Sequence, residues 1–172
     1  MTNHENLMSA PIETEMNLII TDKSGLLEFL KTQADVKKSQ IQFDYYGKPG
    51  DKSFYVRIEQ RTDAAGNVTR FVTAKGSFAN NDGINQRKEA TLAIPDNAVS
   101  DYKDFLEVVQ LQSRDTKTKT RHAFKIDGLD VTVDEWDTPE LGDRLEIEGT
   151  DMAKIKDFAS RVSAYCQSEP SE

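Results

Sequence analysis

Cysteine, histidine and tryptophan are almost missing from this sequence of 172 residues, which contains one, two and one of them. With Cys166 alone, the chain cannot build an internal disulfide framework or a thiolate cage for a metal. A reducing compartment is therefore expected, and we predict a cytoplasmic protein. The first ten residues lack the basic and apolar regions of a secretory signal, and no apolar run reaches the length of about 18 residues that spans a membrane.

Several motifs are also missing. Neither Gly-x-x-x-x-Gly-Lys-Ser/Thr nor Gly-x-Gly-x-x-Gly occurs, which excludes a P-loop and a Rossmann dinucleotide site. No arrangement of residues supports a serine or cysteine nucleophile. The formal net charge of −8 at pH 7 argues against a nucleic-acid surface, since phosphate backbones are bound by clustered Lys and Arg. A locally basic cavity inside an acidic protein remains compatible with this charge.

Alternation of apolar and polar residues, by contrast, is frequent and predicts eight β-strands. The first strand begins at Ile12, after which apolar residues alternate with Glu13 and Glu15. The others are predicted at residues 40–46, 53–61, 68–76, 85–94, 117–126, 129–136 and 144–149. Turn residues separate several of them, and Asp127-Gly128 is the strongest hairpin signal.

Three helices are predicted at about residues 23–33, 99–112 and 150–165, each with one apolar stripe. Ser100 and Thr150 are the expected N-caps of the second and third helices. Residues 1–10 and 167–172 are polar and without period, so they are expected to form flexible tails. The remaining residues, 11–166, have the length of a single domain.

The charged residues of the strands occur in pairs two positions apart, and such pairs project to one face of a strand. Glu13 pairs in this way with Glu15, and Glu146 with Glu148. Other strands carry basic groups, in the pairs Thr73 and Lys75, Arg87 and Glu89, and Lys119 and Arg121. These faces suit either an ordinary sheet with its charged side in water or the inside of a barrel.

The three helices favour the barrel, because their apolar stripes need an apolar surface to bury against. If the helices pack outside, the charged faces line the inside, and eight strands suffice to close the sheet. We therefore predict an α+β fold, an eight-stranded closed antiparallel β-barrel with about three helices packed outside. Its lumen would hold carboxylate pairs beside Lys and Arg, and a polyphosphate with bound Mg²⁺ or Mn²⁺ would satisfy both kinds of charge.

The motifs on these strands resemble the CYTH family, which is named for class IV adenylyl cyclases and thiamine triphosphatases and belongs to the triphosphate tunnel metalloenzymes. The resemblance covers about residues 12–165, in order. It rests on Glu13-Thr-Glu15, Gln42-Phe-Asp44-Tyr-Tyr46, Val56-Arg57, Thr73-Ala-Lys75-Gly76, Arg87-Lys-Glu89, Lys119-Thr-Arg121-His-Ala-Phe124, Asp134 and Leu145-Glu146-Ile147-Glu148.

The resemblance implies a tunnel that binds a linear triphosphate and one or two Mg²⁺ or Mn²⁺ ions, with metal-assisted attack on a terminal phosphorus. The implied metal ligands are Glu13, Glu15, Asp134, Glu146 and Glu148. The implied triphosphate-binding residues are Arg57, Lys75, Arg87, Lys119 and Arg121. Glu89 would orient a basic neighbour, and the implied catalytic set is Glu146, Glu148 and Tyr46. Related tunnel proteins are often dimers, so a homodimer is compatible with the resemblance.

Three positions depart from the family pattern. Asn17 stands where the family has Lys, Glu59 where many members have a second Arg, and Thr91 where a second Glu often follows. In some members the missing Lys pairs with the strand-two tyrosine, here Tyr46. Lys23, at the start of the first helix, is a candidate to replace that Lys.

Hydrolysis of inorganic tripolyphosphate or of an organic triphosphate is the leading function, because it requires only the clamp, the metals and water. A class IV adenylyl cyclase that makes cyclic AMP from ATP is the first alternative. A catalytically weakened polyphosphate-binding or nucleotide-binding module is the second, and a purely structural sheet protein is the last. His122 is expected to be a packed or rim histidine, Trp136 a packing anchor and Cys166 inert.

Overall fold

A computed structural model describes residues 11–51 and 53–168. The strands are β1 (Ile12–Ile20), β2 (Lys37–Gly47), β3 (Tyr55–Asp63), β4 (Val68–Asn81), β5 (Ile84–Ala93), β6 (Gln112–Ile126), β7 (Leu129–Trp136), β8 (Arg144–Glu148) and β9 (Cys166–Ser168). The helices are α1 (Lys23–Gln33), α2 (Val99–Val108) and α3 (Met152–Arg161). Short 3₁₀ turns lie at Asp96–Ala98 and Pro139–Leu141.

Eight antiparallel strands close into a barrel in the order β1-β5-β4-β3-β2-β6-β7-β8, so the predicted fold is confirmed. Closure depends on β1, which uses both of its edges. One edge pairs with β5, where Glu13 lies opposite Arg87, and the other pairs with β8, where Glu15 lies opposite Glu148. Because closure leaves no free edge within the ring, the inner faces of eight strands surround one enclosed space.

Helices cover the apolar outer face of the barrel in two places. Leu26 and Leu30 of α1 and Ile155 and Phe158 of α3 belong to a large buried cluster on the outer side of β1 and β6 to β8. A smaller cluster lies around Leu106 of α2 and includes residues of β2 and β3. Most of the strand residues that line the cavity on the other face, toward the lumen, are charged, as the alternation predicts.

The ends of two helices differ from the sequence prediction. Helix α3 begins at Met152, and its N-cap is Asp151, which accepts hydrogen bonds from the backbone N–H groups of Ala153 and Lys154. Thr150, the expected cap, precedes it. Helix α2 has Ala98 as its N-cap, without a side-chain hydrogen bond, instead of Ser100. It ends at Val108, because Gln110 adopts a left-handed backbone conformation with φ 61° and β6 begins soon afterwards.

The predicted tails lie mostly outside the described residues, which leave out 1–10 and 169–172. Residues 167 and 168, predicted as tail, instead belong to β9, which pairs with β1 beyond the end of β5. Among the described residues, no helix is long and apolar enough to cross a membrane.

Candidate functional site

The barrel encloses a cavity of about 290 Å³ whose lining comes from six strands. Most of the lining side chains are charged, as the sequence prediction requires. They are Glu13 of β1, Arg57, Glu59 and Arg61 of β3, Phe71, Thr73 and Lys75 of β4, Glu89 and Thr91 of β5, Arg121 of β6, and Glu146 and Glu148 of β8. Acidic and basic side chains from distant segments of the chain therefore converge on one enclosed space.

One group of charges links β1 with β4 and β5. The Nζ of Lys75 lies 2.7 Å from Glu13 Oε1 and 2.6 Å from Glu89 Oε2. Arg87 bonds both carboxylates of β1, with Nε 2.7 Å from Glu13 Oε2 and Nη2 2.7 Å from Glu15 Oε1. Burial works against the charge of Glu13, but Lys75 and the hydrogen bonds outweigh it, so the pKa of Glu13 is lowered.

A second group of charges lies across β6, β7 and β8. Asp134 accepts hydrogen bonds from Lys119 Nζ at 2.5 Å and from Arg121 Nε and Nη2 at 2.7 and 2.6 Å. Arg121 also lies 3.3 Å from Glu146 Oε1. Burial, with the charge of Arg121, lowers the pKa of Lys119 to about 8. Burial would raise the pKa of Glu146, but Arg121 and Lys119 outweigh it and lower that pKa to about 2.

Glu15 and Glu148 are two carboxylates whose basic neighbours do not offset the effects of burial and of the nearby carboxylates. They lie directly opposite each other on β1 and β8. Glu15 Oε2 is buried without a hydrogen-bond partner, and Glu148 has no basic partner at ion-pair distance among residues 11–51 and 53–168. Burial, together with the charges of Glu146 and Glu13, raises the pKa of each to about 7. For Glu15 these effects outweigh the single bond from Arg87.

These carboxylates fit a divalent metal in their chemistry. Carboxylate oxygens are the ligands that Mg²⁺ and Mn²⁺ prefer, and the unpartnered Glu15 Oε2 faces an uncompensated Glu148. In the described part of the chain, however, no three Asp, Glu, His or Cys side chains lie close enough together to hold an ion. Binding of a metal would therefore require Glu13 or Glu146 to turn from its basic partner toward the pair Glu15 and Glu148.

Strand β3 contributes a third charged group, which is centred on Glu59. Arg61 donates to Glu59 Oε1 from Nη2 at 2.6 Å and from Nε at 3.1 Å. The Nη2 of Arg57 lies 3.6 Å from Glu59 Oε2, and Arg57 Nε is buried without a hydrogen-bond partner among the described residues. The Arg57 guanidinium thus retains donor capacity that a bound anion could use.

An aromatic layer, made of Phe43, Tyr45, Tyr55 and Trp136, packs beside these cations. Neighbouring rings in the layer have centroids 5.7 to 5.9 Å apart. The Arg57 guanidinium carbon lies 4.7 Å from the centre of the Phe43 ring, and Lys119 Nζ lies 4.6 Å from that of Trp136. Trp136 is thus a packing residue, as expected. The sequence motifs did not identify Phe43 and Tyr45 as lumen residues, although the alternation of β2 places both on the face opposite Asp44.

Tyr46 was predicted in the catalytic set, and the structure shows this position to be wrong. Its side chain packs with Leu106 of α2 and Val56 in the smaller outer cluster. The register of β2 against β6 shifts between Tyr45 and Tyr46, and Tyr45 is the one that contacts the lumen side. Burial raises the pKa of Tyr46, and its charged neighbours are Lys103 and Glu107 of α2 and Asp44 of β2.

Lys23 does not replace the missing lysine of β1, so that hypothesis is also wrong. Its Nζ lies 2.9 Å from Glu135 Oε2 and 3.0 Å from Asp143 Oδ2. Glu135 in turn lies 2.6 Å from His122 Nε2, on the side of β6 and β7 opposite the lumen. Within the lumen, Asn17 instead donates a hydrogen bond to Glu15 Oε1 at 3.2 Å.

Comparisons with known proteins identify the fold. No family model and no curated protein matches the sequence. The PH1819 protein of Pyrococcus horikoshii is 21% identical with a TM-score of 0.68, over 87% of this chain and 86% of that one. A chain of the Schizosaccharomyces pombe Mediator head module is 10% identical with a TM-score of 0.73, over 91% of this chain and 97% of that one.

A third similar structure is HpAC1 from Hippeastrum, a proposed adenylyl cyclase described as having a dominant triphosphatase activity. It is 16% identical with a TM-score of 0.69, over 93% of this chain and 92% of that one. At such identities the likeness concerns the fold alone. The closed β-barrel fold of this chain therefore also occurs in HpAC1 and in a chain of the Mediator head module.

Proposed function

We propose that this protein is a divalent-metal-dependent triphosphatase, which hydrolyses inorganic tripolyphosphate or an organic triphosphate inside the barrel. The observation that carries the proposal is the enclosed cavity, which basic groups of three strands line together with Glu148. Glu15, opposite Glu148 on β1, has one buried oxygen without a hydrogen-bond partner among the described residues. A polyanion with bound cations supplies the missing partner for each kind of charge.

The phosphates would be bound by Arg57, Lys75, Arg87 and Arg121. Arg57 Nε has no hydrogen-bond partner among the residues that the structure describes, and Lys75 and Arg121 line the cavity directly. Lys119 has a side chain only 3% exposed and is held by Asp134, so we assign it a supporting charge. Asp134 would then position Lys119 and Arg121 rather than bind a metal.

The metal would be bound by Glu15 and Glu148, with Glu13 and Glu146 completing the set when their basic partners turn to the phosphates. When bound, a divalent ion would neutralise phosphate charge and lower the pKa of a bound water. The protein itself contributes a fixed array of donors around the phosphates, while the closed barrel wall limits access of bulk water.

One of the similar structures supports the proposal. HpAC1 joins this fold to triphosphatase activity, whereas a chain of the Mediator head module has the same fold as part of a larger assembly. Because the fold alone does not determine the function, the charged lumen of this chain carries the proposal.

The proposal can be tested with a panel of tripolyphosphate, ATP and thiamine triphosphate, each with Mg²⁺ and with Mn²⁺. Phosphate release that requires the metal is expected from at least one of them. Lys75→Gln and Glu148→Gln should lower the rate by about a hundredfold or more, because they remove the charges that would bind the phosphates and the metal. The matched controls Lys31→Gln and Glu28→Gln change exposed residues of α1 and should keep the full rate.

Cyclic AMP is measured in the same reactions. If cyclic AMP forms from ATP and phosphate is not released, the protein is an adenylyl cyclase and not a hydrolase. Tight binding of tripolyphosphate without turnover would favour the catalytically weakened binding module, and absence of both binding and turnover would refute a triphosphate site altogether.

A further inference from the structure

Glu59 is a lumen carboxylate that neither the phosphate clamp nor the metal set uses. We propose that Glu59 determines specificity: it makes the lumen select polyphosphate that carries its metal ions over metal-free polyphosphate. The inference rests on the proposed function, because it concerns the ligand of the same cavity.

The first support is the position of Glu59 inside the lumen. It lies in the middle of β3 between Phe43 and Phe71 in register, and it lines the cavity with Arg57 and Arg61. Its side chain is only 4% exposed. A carboxylate with so little exposure is weakly screened by solvent, so its charge acts on whatever enters the cavity.

The second support is the set of contacts that Glu59 makes. Oε1 accepts two hydrogen bonds from the Arg61 fork, and Oε2 faces Arg57. An arginine fork holding an oxyanion is also the usual arrangement for binding a phosphate group. Glu59 thus occupies Arg61 as a phosphate oxygen would, and it offsets part of the positive charge of Arg57.

The third support is the charge balance of the cavity lining. Among the described residues, five carboxylates and four basic groups line the cavity. Without Glu59 the two kinds would be equal in number. A metal-free polyphosphate would therefore enter a lining with excess negative charge, whereas a metal complex brings its own positive charge.

A magnitude follows from Coulomb's law. Two unit charges separated by roughly 8 Å at an effective dielectric constant of about 20 repel each other by about 2 kcal/mol, which is about thirtyfold in affinity. Removing the charge of Glu59 should therefore strengthen binding of the metal-free polyanion by about tenfold to a hundredfold. Each bound divalent ion cancels two negative charges of the ligand, so the affinity of the metal complex should change by a smaller factor than that of the free anion.

Calorimetric titration of the full chain tests the inference. The probe is diimidotriphosphate, whose N–H bridges resist hydrolysis, added either with EDTA or with excess Mg²⁺. The variants are Glu59→Gln, which removes the charge and keeps the shape, and Glu59→Asp, which keeps the charge. Glu28→Gln, on the exposed side of α1, is the control.

The wild type should bind the Mg²⁺ complex at least about tenfold more tightly than the free anion, and Glu59→Gln should remove most of that preference. Glu59→Asp and the control should keep it. A purely structural role for Glu59 would alter both affinities alike and leave their ratio unchanged, and that result would overturn the inference.

Failure of the two proposals can be told apart. If the wild type binds the probe but Glu59→Gln keeps the wild-type ratio, only the role of Glu59 is refuted. If no form of the probe binds any variant, the triphosphate site and the role of Glu59 are both refuted. If Glu59→Gln does not fold, the wild type alone still tests the inference. Equal affinity of the wild type for the free anion and for the Mg²⁺ complex would overturn it.

Discussion

At the scale of single residues, the glutamates of the lumen differ in ionisation because their neighbours differ. Glu146 lies beside Arg121 and its pKa falls to about 2, whereas Glu15 and Glu148 face other carboxylates and their pKa values rise to about 7. Burial acts on all three in the same direction. The cations within reach therefore decide which carboxylates stay charged and which are available to a ligand.

A pH dependence of stability follows from Glu15 and Glu148. Their pKa values rise from 4.5 in the unfolded chain to about 7, so between these values the folded protein binds more protons. The free energy of unfolding in EDTA should therefore fall as pH rises from 5 to 7.5, by about 1–3 kcal/mol for each of the two groups. Glu146, with its lowered pKa, loses its contribution only below pH 4.5 and does not affect this window.

Urea unfolding at pH 5.5, 6.5 and 7.5 measures this decline. Glu148→Gln removes one of the two titrating groups, so its decline should be shallower than that of the wild type. The exposed Glu28→Gln should follow the wild type. A stability that rises across this window would contradict the assigned pKa directions.

At the scale of elements, the start of α3 depends on one side chain. Asp151 caps the helix by accepting hydrogen bonds from two backbone N–H groups that would otherwise lack a partner. We expect Asp151→Ala to lower the free energy of unfolding by about 1 kcal/mol. The neighbouring exposed Thr150→Ala should change it by less than about 0.5 kcal/mol, and equal effects in chemical denaturation would count against Asp151 as the cap.

Helix α2 is attached to the barrel by one side of its last turns. Leu106 is 3% exposed and belongs to the outer cluster, whereas its neighbour Phe105 is 59% exposed. Leu106→Ala should therefore cost about 2–5 kcal/mol through lost contacts and a cavity. Phe105→Ala should cost less than about 0.5 kcal/mol although it removes the larger side chain, and the opposite order would mean that α2 is rotated.

At the scale of the whole molecule, closure of the barrel holds like charges together, and a ligand should relieve this repulsion. Mg²⁺ and diimidotriphosphate together, at about 100 times their dissociation constant, should stabilise the fold by about 2.7 kcal/mol and raise Tm by about 5–10 °C. Either one alone should give a smaller shift, because each leaves one kind of charge without a partner.

Thermal unfolding monitored by circular dichroism gives the four Tm values, without ligand, with each ligand and with both. Glu148→Gln, which weakens the metal set, should lose most of the joint shift. If the two separate shifts simply add up to the joint one, the anion and the metal do not share a site.

The sequence alone determined the local elements and the sorting of side chains to two faces. Alternation from Ile12 onward, turn signals such as Asp127-Gly128 and the apolar stripes of the helices are local properties. They predicted the strands and the charged residues that six of these strands carry to the lumen. Closure was predictable as well, since helices with apolar stripes must cover the outer face. The inward position of Glu13, Glu15, Glu146 and Glu148 follows from these two facts.

Only the tertiary structure decided the partners and the exceptions. Alternation assigns a face but not a distance across the lumen. It therefore could not show that Lys119 is held by Asp134, or that Glu148 has no basic partner in the described part of the chain. Alternation places Tyr46 on the same face as Asp44, but only the tertiary structure shows that Leu106 of α2 covers this face. Contacts between strands far apart in sequence arise from closure of the ring, and no local pattern contains them.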